Sequence, residues 1–354
     1  MSACPGFEHT ANAIAAAKRY YMKKTILGFL CFLALFAGII VQMDIGGHKG
    51  KRVVSASTGH PYDHPVCVGL RAFGDFIRER MGDKYDVAIY YSAVMGGNRE
   101  AQELLQLGTL DLLQTSGSNM ETFNDMYKIF GLPYLYKDEP SFRKCMDDKE
   151  FMQQIYDCTK DKGIQGVTWF ANGVNNFYSW KPFNTPKDME GLKIRVQASE
   201  ANVKMIHGFK AAAVMMPYSE MYTALQNRVI DAGTNPEMAL VSVKHGEVAP
   251  FYSRTEHQIF IDVLVANAAF LDSLTKEERA IFEEGFELAN KVQVAEWDKQ
   301  IVQCIEQAKE MGVTFVTPDK APFEAMQAPV REALIESYPV LKPLYATVQK
   351  IQGS

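Results

Sequence analysis

The residue whose type and setting could do the most chemistry is Arg195. It lies in the run Leu192-Lys193-Ile194-Arg195-Val196-Gln197, in which Leu192, Ile194 and Val196 fall on one face of an extended strand and Lys193, Arg195 and Gln197 on the other. A guanidinium fixed at mid-strand by backbone pairing presents a planar fork of donors. Such a fork takes a carboxylate bidentately, supplying attraction and orientation together. The pattern alone fits a solvated arginine, or one paired to a nearby glutamate, just as well.

Catalytic constellations are not evident. The sequence has no G-x-S-x-G nucleophile elbow, no G-x-x-x-x-G-K-[ST] phosphate loop and no H-E-x-x-H metal pair. His60 and His64 have the spacing of a helical metal pair, but Pro61 and Pro65 break a regular helix there, so a turn with solvated imidazoles is expected instead. Glu256-His257 is a poor acid–base dyad, because neighbours on a strand face opposite ways; lining a cleft or a plain surface role suits it better. Cys67, Cys145, Cys158 and Cys304 show no zinc-ligand spacing. Cys145 and Cys158 are close enough in sequence to pair in an oxidising compartment, and four unpaired thiols are the alternative. No metal and no cofactor is expected.

The elements that must position these residues begin after an N-terminal leader. Residues 22–42 read MKKTILGFLCFLALFAGIIVQ, two lysines followed by an uncharged apolar run, the layout of an export signal with Met22 as the alternative start. Either cleavage or retention as an N-terminal anchor fits the segment, and export of the chain is expected. The chain has 354 residues, 47% of them hydrophobic and 22% charged, long enough for two packed domains. A formal net charge of −5 offers no basic surface for nucleic acid or anionic lipid.

From residue 51 the pattern alternates strand and helix. Strands are expected at 52–56, 85–91, 110–113, 192–197, 229–231 and 259–265, with helices at 68–81, 99–107 and 219–226 and one capped by Ser199. This points to an α/β protein with largely parallel strands. Thr275-Lys276-Glu277-Glu278 is a capping box that opens a periodic pattern running to Gly312. A helix of that length is on the order of 55 Å and would span two lobes.

Several segments resemble one family. Asn184 to Val196 (NTPKDMEGLKIRV) is similar to the signature of solute receptors of bacterial tripartite ATP-independent (TRAP) transporters. Met216 to Gln226, Val229 to Pro236, the pair MGGNRE (residues 95–100) and LGTLD (residues 107–111), and Gly131 to Leu135 resemble that family's other blocks, in the same order. The resemblance implies a two-lobe periplasmic-binding-protein-like fold with mixed, mainly parallel sheets, a hinge cleft and a long helix bridging both lobes. Residues 51–172 with 261–300 would form one lobe and residues 173–260 with 301–354 the other.

It also implies a receptor, not an enzyme, which closes on a small organic anion and delivers it to membrane subunits of the transporter, as a monomer. Arg195 would hold the ligand carboxylate bidentately and Asn235 would donate an amide to the same group. Tyr218 would pack on the ligand body, and Asn98 and Ser116 would line the far end. Many relatives carry a second arginine where this chain has Asn175. A neutral amide there is expected to hydrogen-bond the ligand and to favour a polyhydroxylated monoanion over a dianion. A lyase or dehydratase on the same scaffold, or a ligand-sensing subunit, is the alternative.

Overall fold

The computed structural model describes residues 50–353, so the export-signal segment lies outside the described residues. Among the described residues no helix is long and apolar enough to cross a membrane. Nine strands form one continuous sheet: β1 (Arg52–Ser57), β2 (Tyr85–Tyr90), β3 (Leu112–Ser116), β4 (Ile164–Ser179), β5 (Lys193–Val196), β6 (Ala212–Met215), β7 (Ala232–Asn235), β8 (Phe251–Asn267) and β9 (Thr314–Val316). Their order is β2-β1-β3-β8-β4-β7-β5-β6, with β9 beside β8. The β2-β1-β3 and β7-β5-β6 ends are parallel, and β8 with β9 also; the centre, from β3 through β8 and β4 to β7, is antiparallel. The sheet is thus mixed and mainly parallel, as the alternating pattern led us to expect.

The two long central strands join the two ends. β4 has 16 residues and β8 has 17, and their antiparallel register shifts at Gly166/Thr168, Ala171/Gly173 and Asn175/Phe177. On the β1–β3 side, Val54, Ala56 and Val87 pack under Leu70, Phe73 and Ile77 of the helix Pro65–Met81 and under Phe282 and Phe286 of the long helix. On the β5–β7 side, Ile194, Val196 and Ala232 meet Met205, Ile206 and Phe209, while Tyr178, Ile230 and Tyr252 meet Leu225, Leu240 and Ala308 on the other face. Parallel strands buried on both faces read as short apolar runs, which is why these were visible in the sequence.

The long helix, Lys276–Glu310, has 35 residues, and the Thr275/Glu278 capping box is formed. At 1.5 Å per residue it is about 50 Å long. It buries Phe282, Phe286, Ala289, Gln293 and Trp297 on one stripe. Gln293 grips β4: its Nε2 donates to the Ala171 carbonyl (2.7 Å) and its Oε1 accepts from the Ala171 amide (2.8 Å). Met238 of the second half and Trp297 share a cluster with Ile261 of β8, so the helix packs on residues from both halves of the sheet. The C-terminal helix, Leu341–Gly353, buries Leu341, Leu344 and Val348 in that cluster with Phe142 and Cys145.

Two strands start later than expected, for the same reason. Asp111 turns its carboxylate back to accept from the Ser55 amide (2.8 Å), so β3 starts at Leu112. Asp231 accepts from the Lys193 amide (2.8 Å) after a left-handed turn at Arg228, and the strand begins at Ala232 instead of Val229. The four described cysteines are unpaired.

Candidate functional site

The carboxyl ends of β1, β3, β5 and β7 converge on one cavity, the position where open α/β sheets place ligands. Solvent-open space included, it holds about 580 Å³. Gly59, His60 and His64 reach it from the loop after β1 and the helix that follows. Gln114, Thr115, Ser116 and Asn119 reach it from β3 and the turn beyond, Asn172 and Asp262 from the crossing strands, and Arg195, Gln197, Tyr218 and Asn235 from the second half. Asn98 stands at a helix start.

Arg195 is 1% exposed. Its Nε donates to the Met216 carbonyl (3.0 Å), Nη1 is buried with no hydrogen-bond partner, and no carboxylate among the described residues forms an ion pair with it. Burial pulls its pKa down to about 10, which leaves it a cation at neutral pH. An uncompensated buried charge costs several kcal/mol, so the site favours an anion on that fork. β5 puts Lys193 in solvent and Arg195 and Gln197 in the interior: the face that reads as polar in sequence is the cavity face.

Asn235 stands beside Arg195 in the wall, oriented by a relay. Its Nδ2 donates to the Tyr178 hydroxyl (2.9 Å), which in turn pairs with His245 Nδ1 (2.8 Å). Burial, then the nearby Arg195, lowers the His245 pKa to about 3, so its ring is neutral at neutral pH. Asn235 Nδ2 also lies 3.8 Å from the Met221 sulfur, a weak acceptor that a ligand oxygen would readily replace. Tyr218 is partly buried, and its phenol is held above its usual pKa, first by burial.

Five of the six residues singled out in sequence thus border one cavity: Arg195, Asn235, Tyr218, Asn98 and Ser116. Asn175 does not, and this corrects the expectation that it meets a ligand. Gly173 at φ +81° and the bulges around it turn Asn172 to the cavity instead. Asn175 is fully buried and its Nδ2 donates to Gln258 Oε1 (3.3 Å). His60 and His64 are also corrected. They are not solvated: the rings stack at 3.8 Å in the cavity wall, and His64 Nδ1 caps the helix Pro65–Met81 by accepting from the Val66 amide. Glu256 and His257 do face opposite ways, Glu256 to Lys320 at the surface and His257 into the core.

Sequence reading passed over Asp262, Asn172 and Gln114. Asp262 had a signal, a lone charge inside the apolar run Ile259 to Val265. Among the described residues no group of three or more His, Cys, Asp or Glu is placed to hold a metal ion.

The model of the bacterial extracellular solute-binding protein family 7 matches residues 56–338. The chain belongs to that family. Like it, a family relative in Salmonella typhimurium named YiiZ, itself uncharacterized, extends along most of the length: it is 33% identical over 287 residues, 80% of this chain and 88% of that one. Among solved structures, a TRAP periplasmic solute-binding protein of Anaerococcus prevotii with bound D-glucuronate superposes with a TM-score of 0.84. It is 38% identical and covers 86% of this chain and 99% of its own. One from Sulfitobacter with bound β-D-galacturonate gives a TM-score of 0.81 at 26% identity, over 86% and 100% of the two chains. The two-lobe periplasmic-binding fold is therefore this family 7 chain's fold.

Behind the cavity, His257 is fully buried against Phe177 and bonded to the hydroxyls of Thr255 (Nδ1, 2.8 Å) and Thr234 (Nε2, 2.9 Å). Burial lowers its pKa from 6.5 to about 3. Between those values the unfolded chain holds a proton that the native chain does not, so stability falls as pH drops through the window, by up to about 1.4 kcal/mol per unit. Urea unfolding at pH 7.5 and pH 5.0 checks this. The loss on acidification is expected to be about 1–2 kcal/mol smaller in His257→Gln than in the wild type, and equal losses would refute it.

Proposed function

We propose that this chain is the ligand-capturing receptor of a TRAP transporter, that it binds a sugar acid such as a hexuronate, and that it catalyses nothing. The observation that carries the reading is the buried Arg195 fork, with no ion-pair partner among the described residues and with Nη1 unbonded, in a cavity lined mostly by amides, hydroxyls and imidazoles with Asp262 as its one carboxylate. The ligand carboxylate lies on Arg195, with an Asn235 N–H on the same group. Tyr218 packs on the sugar body, and Asn98 and Ser116 border its other end. The lobes, residues 51–172 with 261–300 and 173–260 with 301–354, close by bending at the bulged middle of β4 and β8. Closure comes from the ligand's higher affinity for the closed state. The receptor works in the periplasm as a monomer and hands its cargo to the membrane permease subunits.

Uronates bound to structural relatives support this ligand class. The test is a thermal-shift series on residues 51–354 with D-glucuronate, D-galacturonate, D-gluconate and succinate, followed by analysis of the recovered ligand. A hundredfold excess of ligand over Kd stabilises by about 2.7 kcal/mol. The sugar acids should raise Tm and be recovered unchanged. A larger shift with succinate would overturn the ligand class, and conversion of a sugar acid would overturn the receptor reading in favour of an enzyme.

A further inference from the structure

We infer that Asp262, held by His60, Gln114 and Asn172, is the selector of the cavity: it admits acids that bring hydroxyls to this end and turns away acids that bring a second carboxylate. The inference rests on Arg195 as the site of the first carboxylate.

Asp262 is a carboxylate in the middle of β8, 1% exposed and in the cavity wall. Its Oδ1 accepts from Asn172 Nδ2 (2.8 Å); its Oδ2 accepts from Gln114 Nε2 (2.8 Å) and faces His60 Nε2 at 3.4 Å. The direction of the Gln114 amide is not free, because the Thr58 hydroxyl donates to its Oε1 (2.6 Å) and leaves Nε2 for Asp262. Each of these amides thus turns one N–H to the carboxylate and keeps a second. A carboxylate has about four acceptor positions, so these contacts do not exhaust it.

His60 extends the same logic. With Nε2 toward Asp262, its Nδ1 is the ring nitrogen left over, and it is buried with no partner in the protein. When Nε2 carries the proton toward the carboxylate, Nδ1 is an acceptor. A ligand hydroxyl at this end can then donate to Asp262 or to Nδ1. A carboxylate cannot.

Charge leads to the same conclusion. Among the described residues lining the cavity, Arg195 and Asp262 are the two with formal charge. Tyr218 lies within the field of both, since Arg195 lowers and Asp262 raises its phenol pKa, and this puts the two charges on one shared space. One ligand carboxylate balances Arg195. A second would meet Asp262 with like charge, and such juxtapositions strongly disfavour the wrong partner. The preference expected of Asn175 from sequence thus has another origin: a negative charge in the wall, not a missing positive one.

The test compares D-gluconate and D-glucarate, open-chain acids that share their secondary hydroxyls and differ in a terminal hydroxymethyl or carboxylate, by titration calorimetry on the wild type, Asp262→Asn and Arg195→Met. The wild type should prefer gluconate by on the order of a hundredfold, and Asp262→Asn should narrow that ratio by on the order of tenfold or more. A wild type that binds glucarate as tightly as gluconate overturns the inference whatever the variants do, so a misfolded Asp262→Asn does not shelter it. An unchanged ratio in a folded Asp262→Asn also overturns it. If Arg195→Met abolishes binding in either of those cases, the receptor reading stands alone; if Arg195→Met binds like the wild type, both fall.

Discussion

Arg195→Met is expected to abolish the rise in melting temperature produced by sugar acids while leaving the unliganded protein at least as stable as the wild type. The two halves of this result have one cause. In the free protein the guanidinium is 1% exposed, bonded through Nε to the Met216 carbonyl, and without a partner at Nη1. A buried charge without a counterion costs several kcal/mol, so an apolar side chain of similar length relieves a penalty instead of creating one. With ligand the balance reverses. Removing one member of a buried, hydrogen-bonded charge pair costs about 2–5 kcal/mol, or roughly 30-fold to several-thousand-fold in Kd. Arg195→Lys should fall between, since it keeps the charge and loses the planar fork. Thermal shift in the presence and absence of D-glucuronate reads both halves. A normal ligand shift in Arg195→Met would show that the cavity binds acids without this arginine.

How far the site was legible depends on whether each residue is placed by local pattern or by distant contacts. Arg195 and its strand were legible because a six-residue alternation fixes which side chains share a face. That the shared face is an interior one was not legible, because the cavity is closed by residues as distant as His60 and Asp262. Asn175 was placed by the position of the relatives' second arginine, and its own pattern could not show that the bulges in β4, where one added residue flips later side chains to the other face, leave it in the interior. Gly173 was the only local trace of that break. The His60/His64 stack was hidden because Pro61 and Pro65 correctly exclude a helical pair yet say nothing about burial. The long helix was the most legible element, since capping box, period and end signal all agreed.

Gly173→Ala is expected to destabilise the protein by about 2–5 kcal/mol, a large effect for one methyl group, and the two contributions can be separated. Gly173 has φ +81°, where an L side chain costs about 1–2 kcal/mol. A Cβ there would also lie 2.6 Å from Trp297 Cζ2 and 3.4 Å from Pro236 Cβ. Trp297 is 2% exposed on the long helix and cannot swing into solvent, so the clash adds an overpacking cost of about 1–3 kcal/mol. Trp297→Phe removes the offending ring edge. In a double-mutant cycle by urea unfolding, Gly173→Ala should therefore cost about 1–3 kcal/mol less in the Trp297→Phe background, while the backbone part persists. Equal costs in both backgrounds would mean that the indole is not what requires glycine. Because Gly173 lies where β4 crosses between the sheet's two halves, and Pro236 lines the cavity, the alanine should also weaken sugar-acid binding without touching the ligand. A stability loss with unchanged Kd would place the bend elsewhere in β4 and β8.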